Sequence, residues 1–253
     1  MQEAASDSPK VLSVVIPARN EARSLPETVR KISATLDSAS VPFELIVVDD
    51  HSEDGTGEVV KSLGMSDPRI VLVENKGAPG YGYAVRRGLE TFKGAAVVIV
   101  MADSSDDPAD IVVYYTKILA GYECVFGSRF CRPAKVVDYP FSKLLLNRFG
   151  NFFIQMLFLL PYNDVSNAFK CYSRRAIEGI QPLISCHFNL TVEMPLKAIV
   201  RGYTWCVVPT NWYGRAKGIS KWKIKEMGSR YLFVMLYIWL ERSLSRNDYR
   251  RRQ

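Results

Sequence analysis

Three short stretches carry residues whose types and spacing could do chemistry. "VVDDHSEDGT" (47–56) ends an apolar run on two adjacent carboxylates, Asp49 and Asp50, before a turn rich in Ser, Asp and Gly. Carboxylates so placed can hydrogen-bond a ribose or a base, or one of them can cap the turn. "MADSSDDPAD" (101–110) sets Asp103, Asp106, Asp107 and Asp110 on the lip of a second apolar run. Asp107, directly before Pro108, suits a helix N-cap, and Asp110 suits that helix's first turn. Asp103 has no capping task and is the candidate metal ligand; Asp106 stays open between the two roles. Two residues before Asp103, where a second metal-binding carboxylate would be useful, stands Met101. "NKGAPGYGYAVRRG" (75–88) is a glycine-rich turn leading into a helix, a possible phosphate cradle. It matches neither the P-loop nor the G-x-G-x-x-G pattern, so those readings lack support.

The elements that must position these residues alternate along the first half. "VLSVVIPA" (11–18), "FELIVVDD" (43–50), "RIVLVEN" (69–75), "AAVVIVMAD" (95–103) and "CVFGSR" (124–129) read as strands. Between them lie helical patterns over 24–38, 54–64, 81–92 and 108–122. The first opens with a capping-box pattern, Ser24 and Glu27; the second is expected to end at Gly64. The alternation predicts an α/β fold with a largely parallel sheet, and ligands then bind beyond the carboxyl ends of the strands. The acidic residues collect at those ends.

The second half is more apolar. "FSKLLLNRFGNFFIQMLFLLP" (141–161) is very apolar with Lys143 and Arg148 embedded, "LTVEMPLKAIVRGY" (190–203) reads as a core helix, and "RYLFVMLYIWLERSLSR" (230–246) holds ten successive apolar residues. The first and last fall short of the roughly 20 residues of a membrane span, so each is a buried core helix or an amphipathic helix in a membrane interface. Net charge is +7, but residues 201–253 carry twelve Lys or Arg against three Asp or Glu. A basic end this concentrated points to an anionic surface or ligand, although "RRRQ" by itself reads as a solvated tail. Five scattered cysteines argue for a reduced setting rather than disulfides or structural zinc, and the polar start carries no secretory pattern. The organisation expected is a disordered 1–10, a catalytic domain over 11–229, and an apolar helix with a basic tail over 230–253.

"IPARNE", "VVDDHSEDGT", "GAPGYGYAVRRG", "MADSSDDP" and "GSRF" stand in the order and spacing of family 2 glycosyltransferases with the GT-A (Rossmann-like) fold. "SKLLLNRFGN", "DVSNAFKCYSRRAIE" and "GRAKGISKWKIKEMGSRYL" resemble the dolichol-phosphate or polyprenyl-phosphate mannose synthase branch, and the resemblance spans about residues 11–232. It implies a nucleotide-sugar donor such as GDP-mannose or a UDP-hexose, a divalent cation (Mg²⁺ or Mn²⁺), and inverting transfer to a polyprenyl monophosphate. By position, Pro17, Arg19, Glu21 and Asp49 should line the donor nucleotide pocket, with Asp50 and Gly80 beside it. Asp103 should bind metal, helped by Ser105 or Asp106, and Arg129 should reach the donor phosphates. Lys143, Arg148, Arg215 and Lys221 should hold the phosphates of acceptor and donor, with Asp103, Arg129 and Arg215 the catalytic set.

The sequence departs from that pattern in places. The family's D-A-D reads Met101-Ala102-Asp103, its T-S-G-F-R reads Ser166-Asn167-Ala168-Phe169-Lys170, and Lys143 replaces an Arg. Lys143 and Arg148 would lie about 140° apart on an ideal helix, sharing a site only if the helix starts later or bends. A phosphate monoester is mostly anionic near pH 7 and needs no general base, whereas a hydroxyl acceptor would. Glu193 is the base candidate in that case, or else a charge at the edge of a core helix. The rivals are therefore a family 2 enzyme acting on a glycan hydroxyl, and a nucleotide-sugar-binding protein that has lost catalysis. Nucleic-acid binding is disfavoured, because the C-terminal aromatics form an apolar block rather than a spaced stacking platform. The protein is expected to work in the cytoplasm, peripheral at the inner face of the membrane.

Overall fold

Seven consecutive buried residues form β1 (Leu12–Ala18), which sends Val15 into one hydrophobic cluster and Leu12, Val14 and Ile16 into another. Such a strand is apolar but for Ser13, because helices cover both faces of its sheet. The computed structural model describes residues 10–214 and 224–251. After β1 come α1 (Leu25–Ser38), β2 (Phe43–Asp49), α2 (Thr56–Ser66), β3 (Ile70–Glu74), α3 (Tyr81–Thr91), β4 (Ala96–Ile99), α4 (Pro108–Leu119) and β5 (Cys124–Ser128). The second half adds β6 (Val136–Val137), α5 (Phe141–Phe158), β7 (Lys170–Ser173), α6 (Arg174–Gly179), α7 (Leu190–Val200), β8 (Trp205–Pro209), β9 (Trp212–Tyr213) and α8 (Ile224–Leu244).

The main sheet runs β3-β2-β1-β4-β7-β5-β8, and β6 pairs with β9. Every neighbour in the main sheet is parallel except β7, which is antiparallel to both β4 and β5. The α/β architecture and the mostly parallel sheet are as the sequence predicts; the insertion of β7 is not. One core cluster lies against α3, α6, α7 and α8, the other against α1, α2 and α4.

Several local expectations are corrected. Ser24 forms no cap: its Oγ donates instead to Glu21 Oε2 at 2.6 Å, so the capping box is absent. Gly64 does not end α2, which runs on to Ser66; a Cβ there would stand 2.8 Å from the Ile70 carbonyl oxygen, so glycine lets the helix approach β3. Asp107 does cap α4, accepting from the Ala109 amide at 3.0 Å. Arg251 is not a solvated tail residue: its amide donates to Arg201 O and its guanidinium reaches Glu123 Oε2, each at 2.8 Å. α5 and α8 are core helices on one side only. α5 buries Asn151, Ile154 and Phe158, and α8 buries Val234, Met235 and Ile238, while large apolar side chains on their other sides stay exposed. Among the described residues no helix is long and apolar enough to cross a membrane.

Candidate active site

β1, β2, β4 and β5 run in one direction, so their carboxyl ends open on a single edge of the sheet. The chain leaves β1 toward β2 and β3 on one side, and β4 lies on the other. The crevice between the ends of β1 and β4 is thus the switch point where an open α/β sheet binds ligands.

Backbone and side-chain bonds stitch together the loops after β1 and β2. Asn20 N donates to Ser52 Oγ at 2.9 Å, Glu53 N to Asn20 Oδ1 at 2.8 Å, Glu21 N to Thr56 Oγ1 at 3.0 Å, and Ala22 N to Asp54 Oδ2 at 3.0 Å. This fixes exposed Arg19 and half-buried Glu21 beside Asp49, while Pro17 is buried within β1. The carboxylate pair divides its work. Asp49 is half-buried, its Oδ1 accepting from Ser52 N at 3.2 Å. Asp50 is buried and accepts from Asn75 Nδ2 at 2.7 Å and Gly80 N at 2.9 Å, tying β2 to the start of α3. The glycines of that turn have a packing role: a Cβ on Gly80 would meet the Cys186 carbonyl oxygen at 2.5 Å.

The acidic lip closes on itself. Asp106 is buried, its Oδ2 accepting from Met101 N at 3.0 Å, and Asp103 Oδ1 accepts from Ser105 N at 3.1 Å. Thr28 of α1 ties the lip down, donating to Ala102 O at 2.9 Å and lying 2.6 Å from Ser104 Oγ. Burial pushes the Asp106 carboxyl up to about 7; the Met101 amide opposes this, the charge of Asp103 adds to it, and Arg129 opposes it. Ser105 is buried, with its carbonyl held by Tyr213 N. Of the three residues expected around a metal, partly exposed Asp103 is thus the one presented at the lip.

Arg129 is buried in a fork with Asp164: Nε to Oδ2 at 2.8 Å, Nη2 to Oδ1 at 2.7 Å, and Arg129 N to Oδ2 at 2.9 Å. Burial by itself would lower the guanidinium's affinity for its proton, but the charge and hydrogen bonds of Asp164 hold it well above the usual range. The guanidinium also lies over the Tyr139 ring, which contacts Trp212, and Trp212 bridges to Asp106. The lip and Arg129 are therefore neighbours.

Exposed Arg148 stacks 4.5 Å from the centre of the Phe130 ring that also carries Arg129, so two of the expected phosphate cations meet there. Lys143 does not join them. α5 begins at Phe141 and contains both residues, leaving them about 140° apart around the helix. Lys143 instead lies one turn before Asn147, on the face packed against the loop after α5. There Asn147 and Asn151 donate to Ser166 Oγ at 3.0 and 2.9 Å, and Ser166 N donates to Asn151 Oδ1 at 3.1 Å. Arg215 and Lys221 lie outside the described residues.

Glu193 is fully buried. It accepts from Ile184 N at 2.8 Å and Ser185 N at 2.7 Å, and pairs with fully buried Lys197 at 2.8 Å. It pins the 182–185 segment and does not face the crevice as a base. Sequence reasoning missed the parts played by Asp164 and Lys170, although "DVSNAFK" contains both. Lys170 Nζ donates to Val165 O at 3.0 Å and Thr191 O at 3.2 Å; burial pulls its pKa down to about 7, Asp164 opposing and Arg129 adding.

Among the described residues no three His, Cys, Asp or Glu side chains are grouped to hold a metal ion. A cation held at Asp103 would therefore take most of its oxygens from water and substrate phosphates, as Mg²⁺ commonly does, rather than from an all-protein cage.

Comparison with known proteins fits this geometry. Residues 13–180 match the profile of glycosyl transferase family 2. The chain is 28% identical over 214 residues to the polyprenol monophosphomannose synthase of Mycolicibacterium smegmatis, covering 82% of this chain and 79% of that protein. It is 30% identical over 214 residues to glycosyltransferase AglD of Haloferax volcanii, covering 83% of this chain but 34% of AglD. The fold superposes on glucosyl-3-phosphoglycerate synthase of Mycobacterium tuberculosis, solved with Mn²⁺, UDP and phosphoglyceric acid. The TM-score is 0.68 at 19% identity, covering 92% of this chain and 78% of that one. The same enzyme solved with Mg²⁺ and UDP gives a TM-score of 0.68 at 20% identity, covering 92% and 79%. An α/β sheet with its carboxylates at the switch point, a family profile over two-thirds of the chain, and glycosyltransferase relatives lead to one conclusion: the protein is a glycosyltransferase of the GT-A fold and belongs to glycosyl transferase family 2.

Proposed function

We propose that this enzyme moves a hexose, mannose by preference, from a nucleotide-sugar to a polyprenyl phosphate with inversion, working peripherally at the cytoplasmic face of a membrane. The observation that carries the reading is the state of Glu193. The base candidate for a hydroxyl acceptor is locked in a buried ion pair with two backbone amides, which suits an acceptor that arrives already anionic. Similarity to a polyprenol monophosphomannose synthase over 82% of the chain supports the same choice.

In this reading Arg19, Glu21 and Asp49 hold the nucleoside at the β1–β2 edge. Asp103 holds Mg²⁺ or Mn²⁺, which would neutralise charge on the leaving diphosphate. Arg129, its Nε and Nη2 committed to Asp164, offers Nη1 to a phosphate beside Arg148. The protein's work is then positioning and charge stabilisation rather than proton removal. Arg215 and Lys221 complete the cationic set around the acceptor.

A second reading has one observation in its favour: the superposed structures belong to an enzyme whose name gives a glucosyl-phosphoglycerate product. One assay separates the readings. The protein is incubated with labelled GDP-mannose or UDP-glucose, Mg²⁺ or Mn²⁺, and a polyprenyl phosphate, and the label is followed into the organic phase. No lipid-linked product with any donor defeats the proposal. Label on a soluble hydroxyl acceptor establishes the second reading, and donor binding without turnover identifies a binding protein.

A further inference from the structure

The buried Glu193–Lys197 pair of α7 takes no part in the transfer chemistry, yet its bonds lead step by step to the donor edge. Glu193 accepts the amides of Ile184 and Ser185 on its two oxygens, at 2.8 and 2.7 Å, while Lys197 Nζ donates to Pro182 O as well as to Glu193. Half-buried Arg86 of α3 holds the same segment from its other side, donating from Nη1 to Leu183 O at 2.6 Å. The segment then meets the first turn of α3. Gly82 N donates to Cys186 O at 3.0 Å, and the Tyr81 and Phe188 rings stack with centroids 4.2 Å apart. A Cβ on Gly82 would clash with the Ser185 carbonyl oxygen, so this approach needs glycine. One residue before α3, the Gly80 amide reaches back to Asp50, 3.2 Å from Oδ1 and 2.9 Å from Oδ2.

Asn75 closes the other end of that turn, its Nδ2 donating to Asp50 Oδ1 at 2.7 Å and its backbone N to Asp49 O at 2.9 Å. Where the 75–80 turn sits therefore sets both carboxylates at the end of β2, and the 182–187 segment sets where that turn exits. N–H···O bonds lie within about 2.7–3.2 Å, so moving the start of α3 by roughly 1 Å would break the Gly80–Asp50 contact. Stability alone does not account for the ion pair, since well-packed apolar residues of similar volume often serve a core as well or better. What the pair supplies is direction: a carboxylate and an ammonium aimed at three particular backbone groups. We propose that Glu193, Lys197 and Arg86 are positioning residues for the nucleotide-sugar donor, clamping the 182–187 segment so that the start of α3, through Gly80, orients Asp50 beside Asp49. This role rests on the reading of Arg19, Glu21 and Asp49 as the nucleoside edge.

The test is calorimetric titration of the full chain with GDP-mannose and with UDP-glucose in Mg²⁺, for wild type, Arg86→Met, Arg86→Lys and Glu193→Gln. Whichever donor binds wild type should bind Arg86→Met and Glu193→Gln on the order of tenfold more weakly. Arg86→Lys should recover part of that loss, because it keeps a donor for Leu183 O. In the transfer assay, kcat at saturating donor and KM for polyprenyl phosphate should stay within a few-fold of wild type, a split that general loosening of the fold would not produce. Arg86→Met should also keep its thermal midpoint, since the side chain is half-buried, and it decides the matter if Glu193→Gln does not fold. Donor affinity unchanged in Arg86→Met, no recovery in Arg86→Lys, or equal losses for donor and acceptor would each overturn the clamp. Wild type that binds neither nucleotide-sugar would defeat the donor-edge reading itself, whereas wild-type binding with unaffected variants would defeat the clamp alone.

Discussion

Replacing Asp164 by asparagine keeps the side-chain volume and removes the charge facing Arg129. In the folded protein Asp164 is fully buried and Arg129 nearly so, and the carboxylate accepts from Nε, Nη2 and the backbone N of Arg129 at 2.8, 2.7 and 2.9 Å. The substituted amide would keep one acceptor oxygen and turn an NH₂ group toward the guanidinium, leaving a buried cation without its counter-charge. Breaking such a pair from one side costs about 3–5 kcal/mol. For a chain of this size, at roughly 2–4 °C per kcal/mol, the midpoint should fall by about 6–20 °C. The cost comes from the orphaned charge, so removing both charges with Arg129→Met/Asp164→Leu should recover much of the loss in stability while abolishing transfer. Urea unfolding of wild type, Arg129→Met, Asp164→Leu and the double variant closes the thermodynamic cycle. A loss below about 1 kcal/mol for Asp164→Asn, or a double variant no more stable than the worse single one, would refute the claim that Asp164 is the buried counter-charge Arg129 depends on.

Four further outcomes are expected. Asp103→Asn should abolish transfer without unfolding the protein, while Met101→Asp should preserve it and sharpen its dependence on added Mg²⁺; full Asp103→Asn activity in chelator would remove the metal assignment. Lys170 titrates near 7 when folded, below its ordinary 10.5, so its burial penalty is present in full below pH 7 and relieved as pH rises toward 10.5. Wild type should therefore gain up to about 5 kcal/mol across that window relative to Lys170→Met, measured by urea unfolding at several pH values; parallel pH curves for the two proteins would show that Lys170 is not the buried titrating group. Glu193→Gln orphans buried Lys197 and should lower the midpoint while leaving kcat within a few-fold at permissive temperature; a loss of about a hundredfold in kcat would make it a base after all. Arg215→Ala and Lys221→Ala should raise KM for the acceptor more than they weaken donor binding by calorimetry, and equal losses would count against their place at the acceptor.

Strand and helix alternation, the gathering of Asp49, Asp50 and Asp103 at one sheet edge, and the N-cap of Asp107 were all legible from the chain. Each rests on local periodicity or on residues a few positions apart. Family membership was legible for a related reason, since motifs keep their order and spacing along the chain. Tertiary structure alone decided the rest. β7 is four residues long with a lysine at its start, and nothing nearby in sequence says that it inserts antiparallel between β4 and β5. Asp49 and Asp50 are adjacent and chemically alike, yet only Asp50 faces Asn75 and the amide of Gly80, 25 and 30 positions away. Glu193 became a structural ion-pair partner through the backbone of Ile184 and Ser185, and Arg129 became a forked partner through Asp164, 35 residues downstream. The two apolar helices could not be assigned from composition, because their large apolar side chains read the same whether one face or both are covered. Sequence sets what a segment would bury and what a side chain can bond; which partner it meets depends on chain crossings that leave no local signature.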